Sequence, residues 1–444
     1  MQLYRHLLGS VFLPAYDGIR SRRYVGHSRF LEVSQWWKPE QLIAFQWAEL
    51  HKLLRHAFDF VPYYRWKYRA VGASFSDIRT WDDFKRLPRL TRGEIRQHRE
   101  ELCSTAYQGK LLPHATGGST GVPTRFYRTY ESYDWRTAAK DRVYSWPGLH
   151  VGDKSVYLWG APVGDVPKYQ IWKTWLHETV QRQRTFNTFS QTEELWWRIH
   201  AEICRYRPAA IVGYVSSLQQ FAGFLGRTKR NIPRVRGVIA AAEPLFEGVR
   251  RTMEEAFEAP VYNTYGSREF MSLAGECEQR DGLHVNSENV VVEAGGEFDE
   301  PSNIIVTDLH NYGMPFIRYE TGDLGKLKDG LCACGRGLPR LAEIEGRVLD
   351  RLRTADGRIV PGEFFPHLLK EIPEFVQYRV EQKDLERIVI SAVMTCELSS
   401  HSRELLDREI GKVFGGATRC DIQPVEEIPA LPSGKRRITI GMAG

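Results

Sequence analysis

The most informative segment of the chain runs Thr116-Gly117-Gly118-Ser119-Thr120-Gly121-Val122-Pro123. Glycines let backbone N–H groups approach a phosphate without obstruction from Cβ atoms, and the Ser and Thr hydroxyls add donors around the same anion. The segment is not a Walker loop, because the Gly-Lys-Ser/Thr ending is missing, and its glycine spacing is not that of a dinucleotide-binding fingerprint. By itself it predicts either a phosphate-binding loop or a surface turn rich in glycine and serine.

The whole chain has the composition of a globular protein. It has 444 residues, 42% hydrophobic and 26% charged, which is enough for a large domain and a smaller one. Its net charge is +6, but the basic residues are scattered, so we expect no nucleic-acid partner. The seven cysteines are too sparse for a disulfide framework.

Membrane and export signals are weak at the start of the chain. Residues 1–18 carry Arg5 and Asp17 and hold no run of about 18 apolar residues, the length of a spanning helix. They also lack the apolar core and cleavage site of a secretory signal. We therefore expect a cytoplasmic protein without a transmembrane segment. We also expect it to be a monomer or a homodimer. The apolar piece from Leu7 to Ala15 is a candidate contact with a membrane surface or a partner.

Alternating apolar runs predict an α/β fold. Residues 28–101 are predicted to be helical with a break at Val61-Pro62, and residues 80–103 to form a helix that turns into short strands. Further along, predicted strands alternate with helices: strands at 155–159, 209–212, 235–241, 290–293 and 303–308, and helices at 193–206, 216–227 and 247–256. After Gly346 the pattern is βαββαβ-like, with strands at 358–361, 376–381 and 387–394 and helices at 366–371 and 402–414. The predicted fold is a large N-terminal multi-sheet α/β domain, 1–345, with a small mobile α+β C-terminal domain, 346–444.

The segment at 116–123 resembles the phosphate loop of adenylate-forming enzymes, the superfamily of acyl-CoA synthetases, adenylation domains and luciferases. Thr124, where many members carry Lys, is as in the phenylacetate–coenzyme A ligase branch. The early segment Val61-Pro62-Tyr63-Tyr64 is similar to that branch and to its capsular-biosynthesis relatives. The resemblance implies that ATP phosphates lie against Thr116, Gly117, Gly118, Ser119, Thr120 and Gly121.

Two further segments resemble the adenine-binding parts of the family. Ala240-Ala241-Ala242-Glu243-Pro244-Leu245 follows a predicted strand, and the family implies that Ala242, Glu243 and Pro244 border the adenine. The same residues are equally typical of a helix N-terminus, with Pro244 in the first turn. Asn263-Thr264-Tyr265-Gly266-Ser267-Arg268-Glu269 is similar to the Tyr-Gly-x-Thr/Ser-Glu segment. The implied roles are adenine stacking for Tyr265, Mg²⁺ binding for Glu269, and nucleotide contacts for Asn263, Gly266, Ser267 and Arg268, the last replacing a hydroxyl residue.

Three later segments complete the family order. Arg318-Tyr319-Glu320-Thr321-Gly322-Asp323 resembles the Arg-Tyr-x-Thr-Gly-Asp segment, in which Asp323 would accept hydrogen bonds from both ribose hydroxyls. Gly346-Arg347-Val348-Leu349-Asp350 resembles the hinge, where Arg347 would contact ribose or phosphate and Leu349 replaces the usual acid. Pro432-Ser433-Gly434-Lys435 resembles the segment whose lysine stabilises charge on the α-phosphate and acyl carboxylate. Without this context, Asp323 would be a turn residue and Lys435 part of a basic tail.

The cysteines predict a second kind of site. Cys332-Ala333-Cys334 places two thiols close together, and Cys277 and His284 upstream supply two more ligands. Three Cys and one His form a closed tetrahedral structural Zn²⁺ site. Some phenylacetate-ligase relatives carry a similar Cys…His…Cys-x-Cys set. The alternative is that these cysteines are reduced loop residues.

The resemblance implies a two-step reaction. ATP activates a small-molecule carboxylic acid as acyl-AMP with Mg²⁺, and the acyl group then passes to coenzyme A as cosubstrate. Catalytic roles are implied for Lys435, Glu269 and Arg347. The alternatives are transfer to an amine, sugar or carrier protein, a silent nucleotide-binding homologue, and a zinc-organised scaffold.

Overall fold

A computed structural model describes residues 2–116, 124–160, 167–189, 192–294, 302–345, 352–360, 362, 364–369, 371–428 and 439–441. Several predicted site residues lie outside these ranges: Gly117, Gly118, Ser119, Thr120, Gly121, Arg347 and Lys435. The hinge positions Leu349 and Asp350 also lie outside them.

In the described ranges the α-helices are α1 (Gln2–Leu7), α2 (Leu13–Arg20), α3 (Tyr24–Ser34), α4 (Pro39–Phe60), α5 (Pro62–Ala70), α6 (Trp81–Arg86), α7 (Arg92–Gln97), α8 (Tyr130–Ser145), α9 (Lys168–Gln181), α10 (Glu193–Tyr206), α11 (Val215–Thr228), α12 (Glu247–Phe257), α13 (Phe364–Leu369) and α14 (Ser400–Phe414). A π-helix, Leu8–Phe12, joins α1 to α2, and a 3₁₀ turn spans Phe75–Asp77. The strands are β1 (Leu112–Ala115), β2 (Arg125–Arg128), β3 (Ser155–Trp159), β4 (Gln183–Asn187), β5 (Ala210–Tyr214), β6 (Gly237–Ala241), β7 (Val261–Tyr265), β8 (Ala274–Glu276), β9 (Leu283–Val285), β10 (Val290–Glu293), β11 (Ser302–Asp308), β12 (Tyr319–Lys328), β13 (Arg340–Glu345), β14 (Leu352–Arg353), β15 (Ile359–Val360), β16 (Phe375–Asp384), β17 (Arg387–Met394), β18 (Arg419–Pro424) and β19 (Thr439–Ile440).

The first compact unit consists of three chain segments, Met1–His114, Thr124–Val151 and Tyr262–Gly346. Its sheet has the order β10-β11-β12-β13-β9-β8-β7, with antiparallel pairs throughout. Helices α4 and α5 contribute to its core, where Leu50, Tyr64 and Tyr68 are fully buried with the sheet residues Val306 and Tyr319. Antiparallel pairing lets distant segments of the chain lie side by side, which is how this unit collects its site residues.

The second unit comprises Ala115–Pro123, Gly152–Val261 and Arg347–Gly444. Strands β6, β5, β3 and β4 form a parallel sheet in that order. Every residue of β5 and of β6 is buried, as expected for a parallel sheet with helices on its faces. Trp196, Phe221 and Phe257, from α10, α11 and α12, pack on this sheet.

The C-terminal part of the second unit has its own sheet. The order is β18-β17-β16-β19, with β16 antiparallel to β17 and the outer strands parallel to their neighbours. From β15 through α13, β16, β17 and α14 to β18, the order is the βαββαβ pattern that the sequence predicts. Apolar side chains of α13 and α14, including Phe364, Phe365 and Phe414, form its core.

Most predicted elements are confirmed to within a few residues, and two are corrected. The break at Val61-Pro62 is where α4 ends and α5 begins. Residues 80–103 form two short helices, α6 and α7, instead of a helix and strands, because Thr80 and Thr91 each cap a new helix with an acid three residues later. The segment 240–245 is not a helix start, since α12 begins at Glu247.

Among the described residues, no helix has the length and apolar character needed to span a bilayer.

Candidate active site and candidate metal centre

Tyr265 and Asp323, the predicted adenine and ribose residues, are in contact. Tyr265 is the last residue of β7, and its hydroxyl donates a hydrogen bond to Asp323 Oδ2 at 2.9 Å. The backbone N–H of Asp323 donates to Thr321 Oγ1 at 3.2 Å, and Thr321 Oγ1 in turn donates to the carbonyl of Ile304 at 2.8 Å. Both side chains are half-buried. An aromatic ring and a carboxylate are therefore fixed beside each other in the first unit.

A tight turn follows Tyr265 and explains the glycine at 266. A Cβ on Gly266 would lie 1.9 Å from the carbonyl oxygen of Met271, so no other residue fits there without moving the backbone. Met271 has a left-handed φ of 67° and donates its N–H to the carbonyl of Ser267 at 2.7 Å. Within the described residues, the buried Oγ of Ser267 has no hydrogen-bond partner. The predicted contact residues Gly266, Ser267 and Arg268 all lie on this turn.

Glu269 is held in a buried cluster with two residues that the sequence did not assign. Its Oε1 accepts a hydrogen bond from the Tyr319 hydroxyl at 2.8 Å and lies 3.4 Å from Arg92 Nη2. Arg92 also donates from Nε to the Tyr319 hydroxyl at 2.8 Å and from Nη2 to the carbonyl of Thr321 at 3.0 Å. The cluster links Glu269 to the strand that carries Asp323.

Burial and charge fix the protonation of this cluster. Burial raises the pKa of the Tyr319 phenol, and the adjacent Glu269 raises it further, so the phenol stays protonated and donates. Burial opposes the charge of Arg92, but Tyr319 and Glu269 outweigh that effect and raise its pKa. The result is a charged arginine between a carboxylate and a phenol.

Arg92 is placed by backbone pairing between distant segments. The N–H of Leu90 donates to the carbonyl of Arg318, and the N–H of Glu320 donates to the carbonyl of Leu90, both at 2.9 Å. The Thr91–Glu94 capping box then starts α7 at Arg92. That capping box is visible in the sequence, but the contact of Arg92 with a residue 177 positions away is not.

Asn263 and the segment 242–244 lie apart from this cluster along the chain. The N–H of Asn263 donates to Glu276 Oε2 at 2.7 Å within the first unit. Ala242, directly after β6 in the second unit, has a left-handed φ of 67°. Glu243 follows it and accepts from the N–H and hydroxyl of Ser216, at 2.5 and 2.9 Å. Glu243 therefore neutralises the N-terminus of α11, and Pro244 continues the irregular segment that precedes α12.

An aromatic cluster lies at the carboxyl ends of the parallel strands of the second unit. Trp159 ends β3 and Tyr214 ends β5, and their ring centroids are 4.4 Å apart. Phe189, just after β4, packs against Phe364 and His367 of α13 at 5.6 and 5.3 Å. The carboxyl ends of parallel strands are where ligands bind in open α/β sheets.

Cys277, His284, Cys332 and Cys334 converge in the first unit, with ligand atoms all within 4.8 Å of one another. Cys277 Sγ lies 3.7 Å from Cys332 Sγ, and Cys334 Sγ lies 3.4 Å from His284 Nε2. Zn–S bonds of about 2.3 Å at tetrahedral angles place two sulfurs about 3.8 Å apart, and a sulfur and a nitrogen about 3.6 Å apart. These two spacings match those of a tetrahedral Zn²⁺ site, and the four side chains together have the donor set that Zn²⁺ prefers.

Hydrogen bonds around the four ligand residues orient them for a cation. His284 Nδ1 lies 3.3 Å from the carbonyl of Leu338, which leaves Nε2 as the acceptor facing the thiols. Burial and three nearby arginines lower the pKa of His284 to about 4, so the ring is neutral. Backbone N–H groups of Gln279 and Arg336 donate to the sulfurs of Cys277 and Cys334 at 3.4 and 3.5 Å.

The thiols respond to burial in different ways. Burial raises the pKa of Cys277 to about 12. Burial also acts on Cys334, but hydrogen bonds from Arg336 and the neighbouring thiols outweigh it and lower its pKa. Buried thiolates need a compensating positive charge, and this donor set supplies a soft, closed coordination shell for one.

Residues 329–339 join the antiparallel strands β12 and β13 and carry Cys332 and Cys334; this connection is called the cysteine hairpin. Arg336 links the cysteine hairpin to the region of the N-terminal helices. Its guanidinium stacks on Trp36 at 4.8 Å and on Trp146 at 5.1 Å, and it pairs with Glu278 at 2.9 Å. A Cβ on Gly337 would lie 1.9 Å from the carbonyl oxygen of Trp37, so the two segments touch through their backbones. Arg336 and Gly337 therefore connect the cysteine hairpin with residues 36–37 and with Trp146, all in the first unit.

Comparison with known proteins identifies relatives of the chain. Residues 352–441 match the family described as CapK C-terminal domain. The chain is 25% identical to Protein CapK of Staphylococcus aureus over 365 residues, 81% of this chain and 80% of that one. It is 26% identical to phenylacetate-coenzyme A ligase of Thermus thermophilus over 392 residues, 84% of each chain. The predicted resemblance is confirmed: the homologues are CapK and phenylacetate–CoA ligases.

Solved structures show the same fold. A 2-hydroxyisobutyryl-CoA ligase in complex with 2-HIB-AMP and CoA, in the thioesterification state, matches with a TM-score of 0.60 and 21% identity. The match covers 91% of this chain and 90% of that one. The predicted α/β fold class, with a large multi-strand sheet and a smaller C-terminal domain, is therefore confirmed as the fold of acyl-CoA ligases.

Proposed function

We propose that this homologue of CapK and the phenylacetate–CoA ligases activates a carboxylic acid as acyl-AMP and transfers the acyl group to coenzyme A. The hydrogen-bonded pair Tyr265–Asp323 is the observation that carries this proposal, because it joins a stacking ring to an acceptor for a sugar diol. The ligase names of the homologues and the thioesterification state of the solved relative support the same two steps.

The nucleotide is proposed to be bound by the motif residues, of which Tyr265, Ser267, Arg268 and Asp323 belong to the first unit. Tyr265 stacks on the adenine, and Asp323 accepts from the ribose hydroxyls. Ser267 Oγ and Arg268 donate to phosphate oxygens, together with the backbone and hydroxyls of the loop from Thr116 to Gly121. Among the described residues, the buried Oγ of Ser267 has no hydrogen-bond partner, which supports the proposal that a phosphate oxygen accepts from it. Asn263 and the segment Ala242–Pro244 are proposed to complete the adenine contacts.

Glu269 is proposed to hold Mg²⁺ together with the phosphates. A carboxylate oxygen is a donor that Mg²⁺ prefers, so the residue fits the ion chemically. When bound, Mg²⁺ supplies charge neutralisation to the phosphates. Tyr319 and Arg92 already contact Oε1 of Glu269, and they keep the carboxylate oriented.

In the first step, a carboxylate oxygen of the acid bonds to the α-phosphorus, and the bond from that phosphorus to the pyrophosphate oxygen breaks. We propose that Lys435 and Arg347 stabilise the charge at this point. The small domain, 346–444, is then proposed to rotate about 346–350. In the second step the coenzyme A sulfur, having lost its proton, bonds to the acyl carbon, and AMP leaves.

The aromatic cluster of the second unit is proposed to receive the body of the acid. Trp159 lies at a strand end, is half-buried and packs on the buried Tyr214, so its ring is the apolar surface available at this edge. This arrangement favours an acid with an apolar or aromatic body.

Pyrophosphate exchange tests the proposal directly. The full chain is incubated with ATP, labelled pyrophosphate and a panel of acids that includes phenylacetate and aliphatic acids. We expect acid-dependent exchange, followed by thioester formation when coenzyme A is added. Exchange without thioester would assign another acceptor, such as an amine, sugar or carrier protein. No exchange with any acid would favour a silent nucleotide-binding protein.

Replacing Asp323 should weaken ATP binding. In Asp323→Ala the ribose loses an ionised acceptor worth about 1.5–3 kcal/mol, so we expect the Kd for ATP to rise about ten- to a hundredfold. The control is Tyr265→Phe, which keeps the ring and removes only the hydroxyl that holds Asp323; its effect should be smaller. Calorimetry measures both, and wild-type affinity in Asp323→Ala would refute the assignment.

Arg92 should matter although no motif marks it. Arg92→Gln leaves Glu269 and Tyr319 in place without their positive neighbour, and we expect kcat for adenylation to fall about tenfold, since a misplaced carboxylate positions phosphate poorly. Arg89→Gln is the matched control, because Arg89 is half-exposed and pairs with Glu320 on the surface. Equal activities in the two variants would mean that Arg92 is structural only.

A further inference from the structure

The N-terminal helical run, Gln2–Arg20, turns its large apolar side chains outward. It consists of α1, the π-helix and α2 without a break. Six apolar residues are between 39% and 82% exposed, at steps that average a helical turn: Leu3, Leu7, Val11, Phe12, Tyr16 and Ile19. Such a stripe normally faces a core.

Other contacts keep this stripe outside. Leu8 is 1% exposed, so it packs against the unit. Asp17 is buried and accepts the N–H of Val25 at 2.8 Å, while its carbonyl accepts the N–H of Arg22 at 2.8 Å. Rotating the helix to bury Phe12 or Ile19 would break these bonds. The apolar face is therefore held toward the surroundings.

Within residues 1–31 the charged side chains are almost all basic, and Glu131 from α8 pairs with His27. Asp17 is the only acid in residues 1–31, and it is buried. The basic side chains are Arg5, Arg20, Arg22, Arg23 and Arg29. Arg22 is neutralised by Asp134, whereas Arg20, Arg23 and Arg29 are exposed. The other strongly exposed helix, α9, has Trp172 and Trp175 on its surface but also Glu178, so it lacks this one-sided charge.

We propose that the helix Gln2–Arg20 lies in the interface of an anionic lipid bilayer. An amphipathic helix with basic flanks inserts its apolar side among acyl chains, and its arginines approach the lipid phosphates. An apolar stripe without charge would fit a groove on another protein. The basic residues beside this stripe are instead complementary to the negative charge of an anionic lipid surface. The proposal concerns where the enzyme works and does not depend on the reaction that it catalyses.

Vesicle sedimentation with the full chain tests the proposal. Vesicles of phosphatidylcholine with phosphatidylglycerol are compared with phosphatidylcholine alone. We expect wild-type protein to sediment with the anionic vesicles, and less so at about 1 M salt, where the Debye length falls to about 3 Å. Leu7→Gln/Phe12→Gln/Ile19→Gln should lower the partition coefficient at least about tenfold. Arg20→Gln/Arg23→Gln should reduce the preference for anionic vesicles.

The matched control is Trp172→Gln/Trp175→Gln, the same kind of change on α9, which should bind vesicles as wild type does. Melting temperature shows that each variant is folded. Wild-type protein that stays in the supernatant, or a triple variant that binds unchanged, overturns the proposal. It is also overturned if the α9 variant alone loses binding, or if the stripe proves to pair two chains. Light scattering reports that last outcome, as a wild-type dimer that the triple variant converts to monomer.

Discussion

Lys435→Ala is expected to lose ATP–pyrophosphate exchange by about a hundred- to a thousandfold while ATP still binds. Lys435 lies outside the described residues, but its flanks do not. Ile428 is 5% exposed, and Thr439 is fully buried and pairs with Val380 of β16. Lys435 is proposed to meet the α-phosphate only when the small domain closes, so its loss affects the transition state.

Lys383→Ala is the control for this variant, because Lys383 belongs to the same sheet and pairs with the nearby Glu381 on the surface. We expect it to leave exchange unchanged. Calorimetry with ATP and a thermal melt separate lost chemistry from lost folding. Wild-type exchange in Lys435→Ala would remove the residue from the mechanism. If ATP affinity fell by the same factor as the rate, Lys435 would be a residue that contacts bound ATP before the reaction and not only in the transition state.

Purified wild-type protein is expected to hold about one Zn²⁺ per chain, and Cys332→Ser/Cys334→Ser to lose it and melt roughly 10 °C lower or more. The four ligand residues join the cysteine hairpin to β9 and to the loop that follows β8. Without the ion, the buried thiols and the neutral imidazole retain weak hydrogen bonds to one another and to nearby backbone groups. Because burial raises the pKa of Cys277 to about 12, zinc binding at neutral pH releases its proton. Zinc affinity should therefore increase as pH rises.

The matched control is Cys204→Ser/Cys396→Ser, which makes the same chemical change at cysteines outside the cluster. Elemental analysis of protein prepared without added metal, and melting curves with and without a chelator, are the measurements. Zinc near zero in the wild type, or a cluster variant that melts with the control, would show that these are ordinary reduced cysteines. Adenylation by the zinc-free protein at low temperature would mark the ion as structural.

The sequence predicts elements best where a local rule governs them. Strand β3, helix α10 and strand β17 begin and end as predicted, since each has an unbroken periodic pattern between turn residues. The C-terminal βαββαβ order follows from the same rule. Residues 80–103 were predicted wrongly because two capping boxes lie there close together, and the apolar residues between them mimic a strand.

The candidate sites likewise contain residues that local motifs predict and residues that only contacts between distant segments place. Tyr265 and Asp323, and the four metal-ligand candidates, are found from motifs, and the structure brings each set together. Arg92 could not be found, because its place depends on the backbone bridge from Leu90 to Arg318 and Glu320. The sequence predicts Glu243 near the N-terminus of the helix that follows it. In the structure Glu243 instead accepts hydrogen bonds at the N-terminus of α11, from Ser216, which lies 27 positions earlier. Such partners are set by the fold and leave no local signal.

The division of the first unit into three chain segments affects how the protein is made. Residues 302–345 have to leave the ribosome before β11 can pair with β10 and before Tyr64 can bond the carbonyl of Pro315. The parallel sheet at 152–261 is complete earlier, since its strands are close in sequence. Synthesis therefore leaves the N-terminal helices, with their apolar faces, waiting for strands that emerge much later. During that interval their apolar faces are open to association with other chains.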